Sequence, residues 1–125
     1  MYDSVFDDPD FAGHEDVHFV NDDAAGMQAV IAVHSTRLGP ALGGTRYLRY
    51  AEPAHAVADA LRLSSGMTAK AAMAGLPLGG GKAVILADPS ADKTAVLTGY
   101  ARQVERLGGR FITGEDVGIG EAEAD

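Results

Sequence analysis

The chain contains no cysteine among its 125 residues. Disulfides, thiolate zinc sites, iron–sulfur clusters and cysteine nucleophiles are therefore all excluded. The sequence also lacks any apolar run approaching the roughly 20 residues that a membrane span needs. Its first residues are acidic, where a secretory signal would be basic. We therefore expect a cytoplasmic protein that does not interact with membranes.

Positive charge is scarce as well. Ten lysines and arginines stand against 18 aspartates and glutamates, which gives a formal net charge of −8. Because binding to a phosphate backbone depends on a surplus of cations, we do not expect nucleic acid as a partner. Hydrophobic residues make up 46% of the chain, enough for one domain with its own core.

The first half of the chain shows the patterns of β-strands. Residues 17–20 and 27–33 are rich in β-branched and apolar residues and are separated by a polar turn, which predicts a β-hairpin. A glycine-containing loop is predicted over 38–44. The alternation over 45–50 then predicts a short edge strand.

The second half alternates helices and strands. Helical periodicity begins at Pro53 and continues to about residue 74, with Asp59 and Arg62 as a charged pair three residues apart. The apolar run 83–87, a second helix and the strand 110–113 form a βαβ unit. The expected fold class is α/β: a three-layer mixed sheet with a β-hairpin and a βαβ unit.

The segment His14-Glu15-Asp16-Val17-His18 matches the H-E-x-x-H pattern of zinc hydrolases. The two histidines can share a metal only on a helix, whereas in an extended strand they lie about 13 Å apart. The β-favouring residues that follow indicate a strand. We therefore expect no metal site, and a zinc hydrolase remains the most distant of the alternatives.

A glycine-rich segment, Gly75 to Lys82, invites comparison with phosphate-binding loops. The pattern fails because Leu76 stands where the first glycine is needed and Ala83 where a magnesium-binding hydroxyl is needed. The segment also precedes a strand instead of following one. No G-x-G-x-x-G follows a strand, so we expect no cofactor-binding residue in this chain.

Two lysines and one aspartate are candidates for chemistry. Lys70 is the one charge between residues 67 and 81, and such an isolated cation suggests an anionic ligand. We expect a second ammonium nearby and partial burial to lower the pKa of Lys82 toward the range of a general base. Asp116 follows a strand, where α/β folds place ligand-facing carboxylates. If Lys82 begins its strand, it is separated from Asp116 by about 17 Å.

Three motifs in this order resemble one known family. The sequence is similar to the N-terminal domain of the glutamate/leucine/phenylalanine/valine dehydrogenases, and most similar to the branched-chain members. The motifs that carry this resemblance are His34–Arg46 (HSTRLGPALGGTR), Gly66–Ile85 (GMTAKAAMAGLPLGGGKAVI) and Gly108–Gly118 (GGRFITGEDVG).

The resemblance implies NAD-dependent, reversible oxidative deamination of an apolar amino acid to a 2-oxo acid and ammonia. By motif, Lys82 would activate water and Asp116 would move protons to and from the amino group. Lys70 would bind the substrate carboxylate. The family's backbone contacts and side-chain pocket fall on Gly43, Gly44, Leu42, Met67 and Gly114.

The resemblance also implies a domain organisation. Residues 1–13 are an acidic lead-in, and residues 14–125 form a substrate-binding and oligomerisation domain that is incomplete at its C-terminus. The domain that would hold NAD is absent, so the chain alone should be inactive, and the protein should be a homo-oligomer. The main alternative is a non-catalytic oligomerisation module or a truncated fragment of the family.

Overall fold

A computed structural model of the chain describes residues 4–114. These residues form a five-stranded mixed sheet with one long helix on each face, so the predicted three-layer α/β class is confirmed. A 3-10 turn over Val5–Asp7 precedes the sheet. The elements are β1 (Asp16–Asp22), β2 (Met27–Ser35), β3 (Ala41–Leu48), α1 (Pro53–Met73), β4 (Gly79–Leu86), α2 (Lys93–Arg106) and β5 (Phe111–Gly114).

The strand order is β1-β2-β4-β3-β5. β1 and β2 form the predicted antiparallel hairpin, β2 pairs antiparallel with β4, and β3 runs parallel to both β4 and β5. After β3, the chain crosses through α1 to β4, which lies on one side of β3. After β4, it crosses back through α2 to β5, which lies on the other side of β3. Because parallel crossovers are right-handed, the two steps in opposite directions place α1 and α2 on opposite faces of the sheet.

Each face of the sheet has its own apolar core. The core beneath α2 contains Met27, Ala29, Ile31, Val33, Ala41, Ala83, Ile85, Val96, Tyr100 and Phe111. The core beneath α1 is smaller and contains Val30, Ala32, Ala56, Ala60 and Val84. Since β2 and β4 alternate between the two clusters, they are the central strands that both helices cover.

The helices begin and end where local chemistry allows. Pro53 occupies the first turn of α1, where its missing N–H costs nothing. The Asp92 side chain caps α2 by accepting the Thr94 N–H at 3.1 Å. The first helix passes through Gly66 without interruption, because the residues around it pack on the sheet and tertiary contacts offset glycine's low propensity.

Three predictions about the strands are wrong. The segment 38–44 is not all loop, since β3 begins at Ala41, and β3 is an interior strand rather than an edge strand. Likewise β4 begins at Gly79, not at residue 83, and the glycine run lies in the sheet. The reason is steric, because neighbouring backbone lies where side chains would otherwise be.

The close approach at these glycines is specific. A Cβ on Gly80 would lie 2.2 Å from the Thr68 backbone nitrogen in α1, and one on Gly79 would lie 1.7 Å from the Ser35 carbonyl oxygen. A Cβ on Gly43 would lie 1.6 Å from the Gly81 carbonyl oxygen. The glycines therefore allow α1 and the neighbouring strands to contact β4 backbone directly.

The sheet is curled, so that its two edge strands meet at one end. Arg110, which precedes β5, forms ion pairs with Asp16 at the start of β1 and, at 3.2 Å, with Glu15. The Glu15 carboxylate also accepts the backbone N–H of Thr36 at 2.6 Å and its hydroxyl at 2.7 Å. This network joins residues at opposite ends of the strand order. Neither helix of residues 4–114 has the length and apolar character that a bilayer span requires.

We predict that Gly80→Ala destabilises the protein by about 1–3 kcal/mol, the usual cost of forcing atoms into a packed interior. The matched control is Gly66→Ala, because a Cβ there meets no atom within 4 Å and the residue is exposed on α1. That change should stabilise the protein by about 0.5–1 kcal/mol. Urea denaturation of both variants measures the difference. Equal stability of the two variants would show that α1 does not rest on Gly80.

Candidate functional site

The candidate site is an open trough on the face of the sheet that α1 covers only in part. α1 packs on β2 and β4 and leaves the same face of β3 and β5 largely bare. Leu42 and Gly44 are half-buried there, and Ile112 on β5 is 45% exposed. One wall of the trough is therefore the helix, and its floor is formed by β3 and β5.

Lys82 projects into this trough from β4. It lies two residues before Val84, which packs under α1, so alternation directs both side chains to the same face. Its side chain has little contact with solvent, since Lys82 is 7% exposed. The buried stem and the charged end of this lysine are therefore held against the sheet and the helix.

Two glycines lie level with Lys82. The register that pairs Leu42 with Gly80 and Thr45 with Ala83 sets Gly44 beside Lys82, and Gly44 in turn pairs with Gly114. This glycine row therefore lies across three adjacent strands, with Lys82 on β4, Gly44 on β3 and Gly114 on β5. Only the lysine has a side chain. No side chain of β3 or β5 therefore lies level with the lysine.

The same register removes the premise of the separation expected between Lys82 and Asp116. The estimate of about 17 Å assumed that Lys82 begins its strand, but β4 starts three residues earlier, at Gly79. Lys82 is therefore level with Gly114, two residues before Asp116 in the sequence. Asp116 itself lies outside the described residues.

The other predicted site residues lie along α1 and β3. Lys70 is exposed in the last turn of α1, and Met67, one turn earlier, is half-buried. Leu42 lies on the trough floor, while alternation turns Gly43 toward the α2 face. The structure thus brings Lys70, Lys82, Met67, Leu42, Gly44 and Gly114 to one face of the sheet.

The pKa of Lys82 is lowered, as the sequence predicts. Burial is the main cause, and the positive charges of Arg46 and Lys70 add to it. Arg46 is the residue that the sequence analysis missed. It lies two residues after Gly44, so the alternation of β3 puts it on the trough face, a signal that is readable once β3 is known to be a strand.

Arg46 is fixed by a carboxylate on α1. Its Nη1 lies 3.3 Å from Oδ2 of Asp59, and the Tyr50 hydroxyl donates to the same oxygen at 2.7 Å. Arg62 contacts the other carboxylate oxygen at 3.2 Å, which confirms the predicted pair with Asp59. Burial opposes ionisation of Asp59, but the hydrogen bonds from Tyr50 and Arg62 and the arginine charges outweigh it and lower its pKa. Burial, followed by the contact with Asp59, raises the pKa of Tyr50 to about 12.

A hydroxyl cluster supports the trough floor from the α2 side. Thr45 of β3 bonds the Tyr100 hydroxyl of α2 and, at 2.6 Å, the Thr113 hydroxyl of β5. Burial raises the pKa of Tyr100 to about 12, so this phenol stays protonated at neutral pH. The cluster ties β3, β5 and α2 together beneath the glycine row.

The histidines of the H-E-x-x-H segment point away from each other. His14 is 7% exposed and lies near α1, with Nε2 at 2.9 Å from the Leu61 carbonyl oxygen and from the Ser64 hydroxyl. Its Nδ1 accepts the Ala12 N–H at 3.1 Å, so both ring nitrogens have partners. His18 lies in β1 and pairs with Ile31, whose side chain belongs to the α2 face.

No three His, Asp or Glu side chains come together as metal ligands within residues 4–114. The absence of a metal site remains a prediction, and the two bonded nitrogens of His14 support it. His34 instead joins His14 at a ring separation of 4.7 Å and bonds Thr68 at 2.7 Å and the Ala12 carbonyl at 2.9 Å. The two histidines thus fasten the segment before β1 to α1.

Comparisons with known proteins extend over nearly the whole chain. Residues 14–125 match the sequence profile described as the Glu/Leu/Phe/Val dehydrogenase dimerisation domain. Valine dehydrogenase of Streptomyces albus is 56% identical over 117 residues, 93% of this chain and 32% of that protein. Leucine dehydrogenase of Geobacillus stearothermophilus is 51% identical over 113 residues, 90% of this chain and 31% of that protein.

Solved structures of amino-acid dehydrogenases also resemble this chain. L-tryptophan dehydrogenase from Nostoc punctiforme superposes with a TM-score of 0.82 at 50% identity, over 90% of this chain and 33% of that one. A hetero-hexameric glutamate dehydrogenase from Thermus thermophilus, in a Leu-bound form, gives a TM-score of 0.70 at 26% identity, over 88% of this chain and 29% of that one. The chain therefore spans about a third of the length of the relatives that it matches.

We predict that mild acid destabilises the protein through His14. The pKa of this ring is lowered, mainly by burial and further by His34, although its bond to the Leu61 carbonyl opposes the shift. His14 is therefore protonated near pH 6.5 in the unfolded state, but only at a lower pH in the folded state. The free energy of unfolding consequently falls as the pH drops below about 6.5. His14→Gln should lower stability at pH 7 but lose this pH dependence.

The control is His55→Gln, because His55 is exposed on α1. It should keep the acid-induced loss seen in the parent protein. Urea midpoints between pH 5 and 8 measure the effect. The same slope in the His14 variant and in the parent would assign the acid sensitivity to other groups.

Proposed function

Since this chain belongs to the Glu/Leu/Phe/Val dehydrogenase family, we propose that it is the substrate-binding, catalytic-lysine part of an NAD-dependent L-amino-acid dehydrogenase. The reaction is the reversible oxidative deamination of an apolar, branched-chain amino acid to a 2-oxo acid and ammonia. One observation carries the proposal: a nearly buried lysine, flanked by two further cations, faces an open trough with a glycine floor.

Lys82 is suited to general base catalysis. Its lowered pKa increases the fraction of neutral amine near physiological pH, and a neutral amine can take a proton from water. In this role Lys82 activates the water that attacks the imino carbon, and ammonia then leaves. Asp116 moves protons to and from the departing amino group, a role that rests on the family motif.

Lys70 is suited to binding the substrate carboxylate. It lies exposed at the rim of the trough, in the last turn of α1, where a solvated ammonium can meet an anion entering from solvent. In this proposal, backbone groups at Gly43 and Gly44 help Lys70 to bind the substrate carboxylate. A fixed cation at the rim orients the substrate so that its reacting carbon lies over the glycine row beside Lys82.

The side-chain pocket in this proposal is lined by Leu42, Met67 and Gly114. Leu42 and Met67 are apolar and half-buried, and Gly114 contributes no side chain. None of these residues carries a charge that could pair with a glutamate side chain. An apolar amino acid therefore fits better than an acidic one.

NAD supplies the hydride acceptor in this proposal and is held by a part of the enzyme outside this chain. The βα connection from β4 to α2 contains Asp88 and Asp92, and carboxylates at a helix N-terminus disfavour a pyrophosphate. The proposed activity therefore belongs to the whole protein, and the isolated chain should neither deaminate amino acids nor bind NAD.

A second role is favoured by the family description. The matched profile is named a dimerisation domain, and the glutamate dehydrogenase that resembles this chain is a hetero-hexamer. We propose that this domain also makes subunit contacts in a cytoplasmic homo-oligomer. This role is compatible with catalysis, and on its own it would describe a non-catalytic module.

We predict that in the complete enzyme Lys82→Ala and Asp116→Asn each lower turnover at least ~100-fold, as expected for loss of a general acid or base. Lys70→Ala should mainly raise the KM for the amino acid, since that lysine binds rather than reacts. Lys93→Ala is the matched control. Lys93 lies at the start of α2, on the other face of the sheet, where its ammonium contacts the Tyr47 ring. Steady-state kinetics with leucine and valine decides. Normal turnover in the Lys82 variant would remove the base from the proposal.

We also predict the order of substrate preference. Leucine, valine and phenylalanine should differ modestly, because one methylene in an apolar pocket is worth only about 1–3 kcal/mol. Glutamate should be a poor substrate for the parent enzyme. A panel of kcat/KM values measures this, with Gly114→Ala as the variant that narrows the pocket. A clear preference for glutamate would refute the apolar pocket.

A further inference from the structure

We propose that Arg46 is a positioning residue for the reaction: held in place by Asp59, its guanidinium supplies a fixed positive charge beside Lys82 from the neighbouring strand. The inference rests on the proposed role of Lys82 as the base. It deepens that role by naming a residue that acts through the lysine and not on the substrate.

The sheet register places the two side chains side by side. Arg46 pairs with Val84, and Lys82 is level with Gly44, so Arg46 and Lys82 are diagonal neighbours on adjacent parallel strands. Both point to the α1 face. Because Gly44 carries no side chain, no side chain of β3 lies between them, and the positive charge of Arg46 acts on the Lys82 ammonium.

Arg46 is held in this position by α1. Its Nη1 lies 3.3 Å from Asp59, and Asp59 is itself held by the Tyr50 hydroxyl and by Arg62. Both oxygens of the carboxylate are therefore engaged. Asp59 thus anchors the arginine.

The hydrogen bonding of Arg46 indicates that its charge matters more than its bonds. Its Nε is buried and has no hydrogen-bond partner in the described structure. An unsatisfied buried donor is unfavourable, so hydrogen bonding alone does not explain an arginine here. A fixed positive charge beside Lys82 is what this position provides.

The charged groups that face Lys82 come from two elements of the described structure. Arg46 lies on β3, and Lys70 and the Arg46-bound Asp59 lie on α1, while the β2 neighbour Ala32 is uncharged. Of the two cations, Arg46 has the larger effect on the pKa of Lys82. Its always-protonated guanidinium makes this effect independent of pH across the working range.

The test compares substitutions that remove the charge of Arg46 or its anchor in the complete enzyme. Arg46→Gln removes a positive charge, so the acidic limb of the kcat profile should move to higher pH by roughly 0.5–1 unit. Asp59→Asn removes the anchor of Arg46 and should move the limb in the same direction by a smaller amount. Arg46→Lys keeps the charge and should restore most of the parent profile. Arg62→Gln is the matched control, since Arg62 also pairs with Asp59 but its side chain is 56% exposed, and its limb should not move.

A second measurement follows Lys82 directly. Acetic anhydride acylates the neutral amine, so the pH dependence of Lys82 labelling, read by mass spectrometry with Lys93 as internal reference, reports its titration. We expect this titration to move with the kcat limb in each variant. If Arg46→Gln does not fold, the shift of Asp59→Asn to higher pH carries the test.

A shift of Asp59→Asn to lower pH, or no shift in folded Arg46→Gln, would overturn the inference and leave Arg46 a structural residue. If Lys82→Ala still abolishes turnover in that case, the proposed function stands without it. If instead the labelling moves as expected while the kcat limb does not, Lys82 is not the base, and both its proposed role and the positioning role of Arg46 are refuted.

Discussion

The close contact between α1 and the backbone of β4 is the constraint on which the rest of the structure depends. Gly80 lets the helix approach until its Thr68 nitrogen occupies the space of a missing Cβ. That approach brings Lys70 and Met67 of α1 to the wall of the trough. Gly80 lies two residues before Lys82 on β4, so the helix is held close to this lysine. A larger residue at Gly80 would push the helix outward and separate the groups that the site needs together.

The electrostatics of the trough follow from this packing. The chain carries a net charge of −8, yet Arg46, Lys70 and Lys82 face one partly desolvated space. Charges interact more strongly where water is excluded, so this local excess of cations favours an anion and disfavours the protonated form of the most buried lysine. In the proposed enzyme, the same arrangement attracts the substrate carboxylate and prepares a base.

The position of the trough also suits a domain that is part of a larger enzyme. α1 and α2 cover the central strands, and the α1 side of β3 and β5, beside Lys82, is only partly covered by α1. The chain spans about a third of its relatives' length. In the proposed enzyme, the remaining chain brings the hydride acceptor to this open face, and closure excludes water from the site.

Local pattern alone determined much of this protein: the hairpin, the long helix from Pro53, the capped second helix and the motifs that carry Lys70 and Lys82. These features depend on periodicity, on turn residues and on caps, which lie within a few residues of one another. The lowered pKa of Lys82 was also predictable, since an apolar neighbourhood and a nearby lysine are visible in the sequence. Tertiary structure alone decided the insertion of β3 between β4 and β5, the level of Lys82 with Gly114, and the charge of Arg46 beside the lysine. The physical reason is that glycines packed against distant backbone look locally like a loop, and only contacts between residues far apart in the chain show that they form a strand.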